Sequence, residues 1–351
     1  MNIFSTWLTV NRACNLNCVW CYAQETEKSC NMDLKTAKKL VDISIDCNVK
    51  NFKLIGGEPT IYPYFFEIIE YIMETKASIT IVTNGIKLAD NEFCLRLKKY
   101  NYSKLHFGIS LKGSTDEDYL QDCGSKGYSE VIAGINNCDK YGLSYSLSYV
   151  LTHENIKTLD VFAKNIKSSG IKKPIFMAYC NAVISENENN NVPLQLKMDY
   201  EFSKKYEVVN GILENKLKIH QTFPLCMCEQ STYTKMLERG QVNTTCHVHK
   251  RNGLIFDTDG SILLCNHLAG YGIGKFGVDF HDAETFRHYW DSDYVVDLYR
   301  KFTTIPSEEC QSCEMTSKCG GGCFVQWFTQ HFEEYKQYKI RESKFVKEDG
   351  I

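Results

Sequence analysis

Three cysteines near the N-terminus have a spacing that suits metal chemistry. Cys14, Cys18 and Cys21 form a CxxxCxxC pattern directly after a β-rich run at residues 4–10. Three thiolates on one short loop can hold three irons of a cubane iron–sulfur cluster and leave the fourth iron open. The alternative, a tetrahedral zinc site, needs a fourth ligand close by, and no histidine lies near this loop. The pattern therefore favours a cluster with one coordination position for a substrate or cofactor.

A second group of cysteines lies in the C-terminal third, which contains Cys226, Cys228, Cys246, Cys265, Cys310, Cys313, Cys319 and Cys323. Eight thiolates are enough for two four-thiolate clusters. A zinc ribbon is the alternative, because CxxC pairs also suit tetrahedral zinc. For Cys226 and Cys228 the sequence leaves three roles open: cluster ligands, a thiol that donates a hydrogen atom, or ordinary loop thiols.

The composition limits the kinds of partner. The chain has 351 residues, 43% of them hydrophobic, and a net charge of −3 from 40 basic and 43 acidic residues. This balance suits a folded core and argues against nucleic acid as a partner. No apolar run approaches the roughly 20 residues that span a bilayer, and residues 1–10 lack a secretory signal. We expect a cytoplasmic protein without membrane contact. Its 17 cysteines are many for such a chain, and this number suggests metal ligation or catalysis by some of them.

The elements that must position these cysteines alternate along the chain. Short β-rich runs predict strands at residues 4–10, 52–55, 79–83, 105–111, 144–151 and 174–178. Amphipathic stretches after them predict helices at 34–47, 64–74, 90–98, 128–140, 155–167 and 196–213. Six such repeats predict an α/β fold of parallel strands with right-handed crossovers, closed into a partial (βα)6 barrel.

This alternation stops after about residue 220. We expect a barrel over residues 1–220, a small Cys-rich domain over 221–335 and a polar tail over 336–351. Within them, the sequence predicts a surface loop at 185–193 and a closing helix at 324–338. Cys47, Cys94 and Cys138 fall in helical stretches and are expected to be buried.

Polar motifs follow the second, third and fourth predicted strands, where parallel sheets place their sites. They are Gly56-Gly57-Glu58-Pro59, Thr83-Asn84-Gly85 and Ser110-Leu111-Lys112-Gly113. The two glycines permit close backbone approach, and the Glu58 carboxylate can accept from an ammonium group. Ser110 is a candidate hydrogen-bond donor to a ligand, or a serine that only satisfies the turn.

The cysteine triplet followed by this GGEP motif resembles the radical S-adenosylmethionine (SAM) superfamily. The resemblance implies that SAM binds the open iron of a [4Fe–4S] cluster, with its methionine amino group at Gly56, Gly57, Glu58 and Pro59. Asn84 and Ser110 would line the nucleoside, and Trp20 and Tyr22 would shield the cluster and border the adenine. Relatives often carry aspartate where Lys112 stands. The implied chemistry is reductive cleavage of SAM to a 5'-deoxyadenosyl radical that abstracts hydrogen from carbon.

The C-terminal array resembles the SPASM domain, which carries auxiliary clusters. Cys246 is followed by thirteen residues, Gly260, four residues and Cys265, and later by CxxCx5CxxxC. The resemblance assigns Cys246, Cys265 and Cys323 to one auxiliary [4Fe–4S] cluster. It assigns the second to Cys310, Cys313 and Cys319. The family's seventh cysteine, expected beyond Cys323, is absent. The fourth position of one cluster is therefore left open, is filled by substrate, or is closed by Cys226, Cys228 or a ligand other than cysteine.

Proteins with this domain pair commonly modify peptides. We expect a ribosomally made precursor peptide as substrate and a thioether or carbon crosslink as product. Alternatives are a peptide epimerase with Cys226 or Cys228 as hydrogen-atom donor, and a formylglycine-generating maturase. The last is disfavoured because Asn266 replaces the expected aspartate, with His267 as a substitute base.

We also expect a reductant such as flavodoxin or ferredoxin. Because the first strand begins at about residue 3, leader binding is expected to need a separate protein or the surfaces of the two domains. Two interpretations lie outside the class. One is a non-catalytic zinc protein, and the other is an electron-transfer protein, which gives no reason for the GGEP motif.

Overall fold

The structure is a computed structural model that describes residues 2–24, 26–100, 103–179, 192–220, 224–243, 246–303, 306–328 and 337. Of the predicted loop at 185–193, residues 185–191 lie outside the described ranges. Most of the closing helix predicted at 324–338 and nearly all of the predicted tail at 336–351 also lie outside them. Two compact units divide the chain. The first contains residues 1–148 and 246–302, and the second contains 149–245 and 303–351. These units do not test the predicted domain bounds, which stay a prediction.

The strands are β1 (Ser5–Asn11), β2 (Asn51–Gly56), β3 (Ser78–Thr83), β4 (Leu105–Leu111), β5 (Ser144–Leu151), β6 (Ile175–Tyr179), β7 (Leu217–His220), β8 (Val242–Asn243), β9 (Gly253–Phe256), β10 (Ser261–Leu263) and β11 (Gly272–Lys275). The α-helices are α1 (Leu34–Asp46), α2 (Phe65–Glu74), α3 (Asn91–Leu97), α4 (Asp116–Cys123), α5 (Tyr128–Tyr141), α6 (Leu159–Ser168), α7 (Val192–Ile212), α8 (Gln230–Glu238), α9 (Ala283–Trp290), α10 (Asp293–Phe302) and α11 (Thr316–Cys319). All six predicted strands are present, with ends that differ by one residue at most.

The first unit is built on a mostly parallel sheet. Its strand order is β11-β10-β9-β1-β2-β3-β4, followed by the start of β5. β1 pairs in parallel with β2 and with β9, whereas β10 is antiparallel to both β9 and β11. The register aligns a row of fully buried side chains across five strands: Phe256, Leu8, Leu54, Ile81 and Phe107. Such rows are typical of parallel sheets that are covered on both faces.

The helices of this unit follow the predicted apolar spacing. In α1, Asp33 accepts hydrogen bonds from the backbone N–H groups of Lys35 and Thr36 and so begins the helix. The face that carries Ala37 and Leu40 is buried. The predicted burial of Cys47, Cys94 and Cys138 is confirmed.

The second unit contains the end of β5 followed in the sheet by β6, β7 and β8. β7 lies parallel to both β6 and β8. Regular elements therefore continue beyond residue 220, where the sequence predicted irregular segments. The closing helix predicted from residue 324 begins instead as a 3-10 turn at Phe324–Phe328. Among the described residues, no helix combines the length and apolar character needed to cross a membrane.

Candidate active site

The cysteine triplet lies on the loop that follows β1. The pairing of β1 with β2 shifts register between Thr9 and Asn11, a bulge that redirects the chain into this loop. Cys14 is exposed, and Cys18 and Cys21 are half-buried. A turn in which the Cys21 N–H donates to the Cys18 carbonyl at 3.0 Å brings the last two cysteines together. The three predicted cluster ligands thus share one short loop.

The loop is held against the C-terminal end of α4. The N–H groups of Asn17 and Val19 donate to the carbonyls of Cys123 and Asp122 at 2.8 and 2.9 Å. The Cys123 thiol lies 3.4 Å from the Cys18 sulfur, and this hydrogen bond lowers the pKa of Cys18 to about 6. Desolvation by the surrounding loop raises the pKa of Cys14 to about 11, although part of this residue's surface reaches solvent. Iron binding displaces such protons, because thiolates are the metal ligands.

The GGEP segment lies directly against the start of the cysteine loop. The N–H groups of Gly57 and Glu58 donate to the carbonyls of Asn11 and Ala13, both at 2.8 Å. A Cβ on Gly57 would lie 2.2 Å from the Ala13 carbonyl oxygen, and one on Gly56 would lie 2.3 Å from Asn11 Oδ1. Only glycine permits this approach, as the sequence predicted.

Glu58 is buried, with 1% of its surface exposed, and its carboxylate is extensively hydrogen-bonded. Oε1 accepts from the Thr60 hydroxyl and the Thr83 hydroxyl, both at 2.7 Å, and from the Thr60 N–H at 3.1 Å. Oε2 accepts from the Asn84 N–H at 2.7 Å. Asn84 in turn donates from Nδ2 to Oδ1 of Asn15 in the cysteine loop, also at 2.7 Å. The segments that follow β2 and β3 are therefore joined to each other and to the cysteine loop by hydrogen bonds.

Ser110 and Lys112 interact at the end of β4. The Lys112 ammonium donates to the Ser110 hydroxyl at 2.8 Å. Cys123 has the largest effect in lowering the pKa of Cys18, and the positive charge of Lys112 acts in the same direction. Lys112 therefore lies close enough to the cysteine loop for its charge to act on Cys18.

The loop after Cys21 contacts the loop after Cys265. The rings of Tyr22 and His267 meet edge to face with centroids 5.6 Å apart, and His267 Nδ1 lies 3.6 Å from the Cys265 sulfur. Burial lowers the pKa of His267 to about 4, so the imidazole is neutral at neutral pH. Burial also raises the pKa of Tyr22 to about 12. Trp20 is buried as well, with 8% exposed.

Cys246 and Cys265 share a neighbour in the first unit. Burial raises the pKa of Tyr299 in α10, and the nearby thiols of Cys265 and Cys246 add to this rise. Cys323, the third cysteine assigned to this cluster, belongs to the second unit.

In the second unit, short turns arrange the CxxCx5C part of the array. The Cys313 N–H donates to the Cys310 carbonyl at 3.3 Å, and the Cys319 N–H donates to the Met315 carbonyl at 2.7 Å. Burial has the largest effect in raising the pKa of Cys310, and the Cys319 and Cys313 thiols act in the same direction. The three glycines 320–322 between Cys319 and Cys323 are all left-handed.

The structure separates Cys226 from Cys228. Cys226 is exposed, and its neighbour Leu225 donates its N–H to the Cys319 sulfur at 3.3 Å. Cys228 is 2% exposed, and its sulfur lies 3.4 Å from the hydroxyl of Ser203 in α7. The two thiols therefore have different surroundings.

Sequence reasoning missed the ion pair between Arg12 and Asp257. Arg12 follows β1, Asp257 follows β9, and their side chains are only 3% and 10% exposed. Asp257 stands three residues before Gly260 of the cysteine array, but no sequence signal pairs residues so far apart. Cys123 was likewise missed, because a single cysteine carries no spacing information.

The donor set suits an iron–sulfur cluster and a polar cofactor. Soft thiolates on one loop are the usual ligands of such clusters. Within the part of the chain that the structure describes, Trp20 Nε1, Arg12 Nη1 and Asn266 Oδ1 are buried without a hydrogen-bond partner. A bound polar ligand would satisfy such groups. The same described ranges contain no group of three Cys, His, Asp or Glu side chains arranged to hold a single metal ion.

Comparison with known proteins links the N-terminal part to one superfamily. The family described as the radical SAM superfamily matches residues 8–166. An uncharacterised protein of Methanocaldococcus jannaschii is 24% identical over 271 residues, 75% of this chain and 85% of its own length. Fe-coproporphyrin III synthase of Methanosarcina barkeri is 27% identical over 60% of this chain, and a mycofactocin maturase of Mycobacterium tuberculosis is 29% identical over 45%. The matches span 51% and 40% of these two relatives.

Two solved structures share the fold. Native anSMEcpe with bound AdoMet is 19% identical, with a TM-score of 0.68 over 99% of both chains. Streptococcus suis SuiB bound to its precursor peptide SuiA is 17% identical, with a TM-score of 0.67 over 94% of this chain and 73% of SuiB. This chain therefore shares its α/β fold, with a mostly parallel sheet, with these two structures.

Proposed function

Because residues 8–166 of this chain belong to the radical SAM superfamily, we propose that the protein is an enzyme that cleaves S-adenosylmethionine and modifies a ribosomally made peptide. The observation that carries the proposal is the contact between the cysteine loop and the GGEP segment. Hydrogen bonds from Gly57 and Glu58 hold the chain just before Cys14. The three thiols and the Glu58 carboxylate therefore belong to one rigid site.

We assign a role to each residue of this site. Cys14, Cys18 and Cys21 hold a [4Fe–4S] cluster, which with SAM supplies a carbon radical able to abstract hydrogen. Gly56, Gly57, Glu58 and Pro59 receive the methionine part, where Oε2 of Glu58 accepts a hydrogen bond from the Asn84 N–H and, as a carboxylate oxygen, can accept a second one from an ammonium group. Asn84, Ser110, Trp20 and Tyr22 line the nucleoside and exclude water. The buried indole of Trp20 supports this last role.

The peptide substrate is proposed from the relatives. One solved structure with the same fold shows SuiB bound to a precursor peptide, and the relative from Mycobacterium tuberculosis is named a mycofactocin maturase. We propose a thioether or carbon crosslink as the product. A formylglycine product is less favoured, since Asn266 cannot accept a proton as aspartate does and the buried His267 resists protonation. Auxiliary clusters on the C-terminal cysteines, a flavodoxin or ferredoxin reductant and a separate leader-binding protein complete the proposal.

The first experiment tests the cysteine triplet. Anaerobically reconstituted protein is expected to bind about twelve iron per chain and to release 5'-deoxyadenosine when reduced. Replacing Cys14, Cys18 and Cys21 by alanine should abolish this release and remove about four iron. Cys30→Ala is the matched control and should retain both the iron and the release of 5'-deoxyadenosine, because this cysteine lies outside every proposed cluster. Release of 5'-deoxyadenosine by the triple variant would contradict the proposal.

The second experiment tests the substrate. A short peptide encoded beside this protein's gene is incubated with enzyme, SAM and reductant, and its mass is measured. A loss of about two mass units indicates a crosslink, because two hydrogens leave when the bond forms. Unchanged mass with deuterium uptake from solvent indicates epimerisation instead. A peptide that binds and remains unaltered would count against a peptide-modifying activity.

A further inference from the structure

The cysteine array of the second unit lacks one ligand. The auxiliary cluster proposed on Cys310, Cys313 and Cys319 needs a fourth ligand, and residues 324–351 contain no cysteine. We propose that Cys226 is the fourth thiolate of this cluster and that Cys228 is not a ligand. This inference rests on the auxiliary cluster of the proposed function and assigns a ligand from upstream in the chain.

The first argument is proximity. The Leu225 N–H donates to the Cys319 sulfur at 3.3 Å. Consecutive Cα atoms are about 3.8 Å apart, so Cys226 begins within one residue of a predicted ligand. Hydrogen bonds to cluster sulfurs are a normal part of such sites and tune their potentials. The segment is therefore already docked on the array through its backbone.

The second argument is the local direction of the side chains. Leu225–Met227 forms a 3-10 turn in which Leu225 is 1% exposed and anchors the segment. Cys226, the next residue, is exposed, as is Cys313 of the array. Cys228 follows this turn in extended backbone and is buried, whereas Cys226 lies within the turn and is exposed. Cys226 and Cys228 therefore do not serve the same site.

The third argument concerns Cys228, which packs against another element. Its sulfur lies 3.4 Å from the Ser203 hydroxyl, and the Glu229 N–H lies 3.4 Å from the same hydroxyl. Its N–H donates to the Leu225 carbonyl at 3.2 Å. This 2% exposed thiol closes the turn against α7, and it would have to leave that packing to reach an iron.

The chain that follows Cys319 is held in one conformation by three glycines and a tryptophan. The three consecutive left-handed glycines 320–322 fold the chain back after Cys319. A Cβ on Gly321 would lie 2.4 Å from the Pro306 ring, so the fold allows only glycine there. The Trp327 indole N–H donates to the Gly321 carbonyl at 2.9 Å and fixes this return. The sulfur of Cys319 is thereby held where Leu225 contacts it.

Alkylation of the unmodified sequence tests the assignment. Iron-loaded and chelated protein are treated with iodoacetamide, and the labelled cysteines are identified by mass spectrometry. Cys226 is expected to be protected in loaded protein together with Cys310, Cys313 and Cys319, and to be labelled at least about tenfold more after chelation. Cys30, which lies outside every proposed cluster, should react equally in both samples. Labelling of Cys226 in loaded protein whose other three thiols stay protected would overturn the assignment.

Variants test it independently of SAM chemistry. In the background with Cys14, Cys18 and Cys21 replaced by alanine, only auxiliary clusters remain. Cys226→Ala is expected to lose up to about half of the remaining iron and sulfide, and its Mössbauer spectrum should lose the all-thiolate cluster. Cys228→Ala should retain both. The reverse pattern would overturn the choice of Cys226, whereas absence of iron in the background itself would refute the auxiliary clusters of the proposed function and this inference with them.

Discussion

Glu58 concentrates four hydrogen bonds on one buried carboxylate. They come from the backbone and hydroxyl of Thr60, the hydroxyl of Thr83 and the backbone of Asn84. Burial of a charge is tolerated when it is compensated in this way. The same residue therefore supports both the fold and the proposed SAM site, and a substitution can separate the two contributions.

We expect Glu58→Gln to weaken the binding of SAM and to lower the stability of the fold. The amide removes the negative charge that would face an ammonium group, so the Kd for SAM should rise at least about tenfold. A buried partner such as the Asn84 N–H or the Thr83 hydroxyl loses its acceptor, which should lower the free energy of unfolding by about 2 kcal/mol. Anaerobic equilibrium dialysis with labelled SAM and chemical denaturation measure the two effects.

Glu67→Gln on α2 is the control for this prediction. Glu67 is an exposed residue of the first helical turn, so its neutralisation should change stability by less than about 0.5 kcal/mol and leave SAM affinity unaltered. A Glu58→Gln protein that is destabilised yet binds SAM normally would mean that Glu58 serves the fold alone.

At the residue scale, the sequence predicts which residues belong to the candidate site better than it predicts the hydrogen bonds and ion pairs that they form. The GGEP motif identified Glu58, but two of its partners stand 25 and 26 residues away. The position of Ser110 was predicted, whereas its bond to Lys112 was not. Arg12 and Asp257 meet only because β9 lies beside β1, which no local pattern reports. Such contacts depend on the tertiary fold and not on spacing along the chain.

At the scale of elements, the loops after β1 and β2 approach each other more closely than side chains allow. The bulge in β1 and the glycines of GGEP are both needed for this approach. The position of the cysteine loop therefore depends on backbone contacts from a neighbouring strand, which makes it sensitive to a single added methyl group.

Gly57→Ala should displace this loop. The added Cβ would lie 2.2 Å from the Ala13 carbonyl oxygen and 2.4 Å from that of Arg12, so one chain must move. We expect a loss of about 2 kcal/mol in unfolding free energy and loss of the iron bound by the triplet. Chemical denaturation and iron analysis in anaerobic protein measure these effects.

Gly108→Ala in β4 is the matched control. Its Cβ would have no heavy atom nearer than 3.9 Å, which is ordinary contact, so stability should change by less than about 0.5 kcal/mol. If both alanine variants retained full iron, the contact between the two loops would not position the triplet.

Elements with a clear period were predictable, and short or distant ones were not. The six strands followed from their β-rich runs. β9 has only four residues and no alternation, and it pairs with β1 from the far end of the chain, so its place in the sheet was missed. α4 was also missed, although Thr115 and the three acidic residues after it are a helix-start signal.

At the scale of the whole molecule, the sheet of the first unit and the cysteine-rich segment 306–328 of the second unit differ in how much apolar surface they bury. The first unit has a row of fully buried apolar side chains across its strands. In the described segment 306–328 of the second unit, Phe324 and Val325 are the hydrophobic side chains below 5% exposure. The latter segment has little apolar burial to maintain its shape, so we expect it to depend on bound metal.

Removal of iron should therefore act locally. In chelated protein, cleavage by trypsin after Lys318 should increase at least about tenfold, because the segment opens without its cluster. Cleavage after Lys53 should stay negligible, since this residue is in β2 with its ammonium 4.2 Å from the Trp7 ring centroid. Mass spectrometry of the fragments measures both. Equal cleavage at Lys318 with and without iron would contradict a structural role for the metal.

The fold class was predictable because repeated alternation of strand and helix leaves few topologies. The distribution of the chain between two compact units was not predictable, since residues 246–302 return to the unit that contains residues 1–148. Periodicity describes neighbours in sequence, whereas this return is decided by which strand edge a distant run can pair with.

The pairing of β9 with β1 has a practical consequence for truncation. A fragment limited to residues 1–166 would keep all of β1 but lack β9 and Asp257, so one edge of β1 would be bare and the Arg12 guanidinium would lose its counter-ion. An uncovered apolar edge strand invites intermolecular pairing. Such a fragment is expected to precipitate during expression, even though it carries every N-terminal motif.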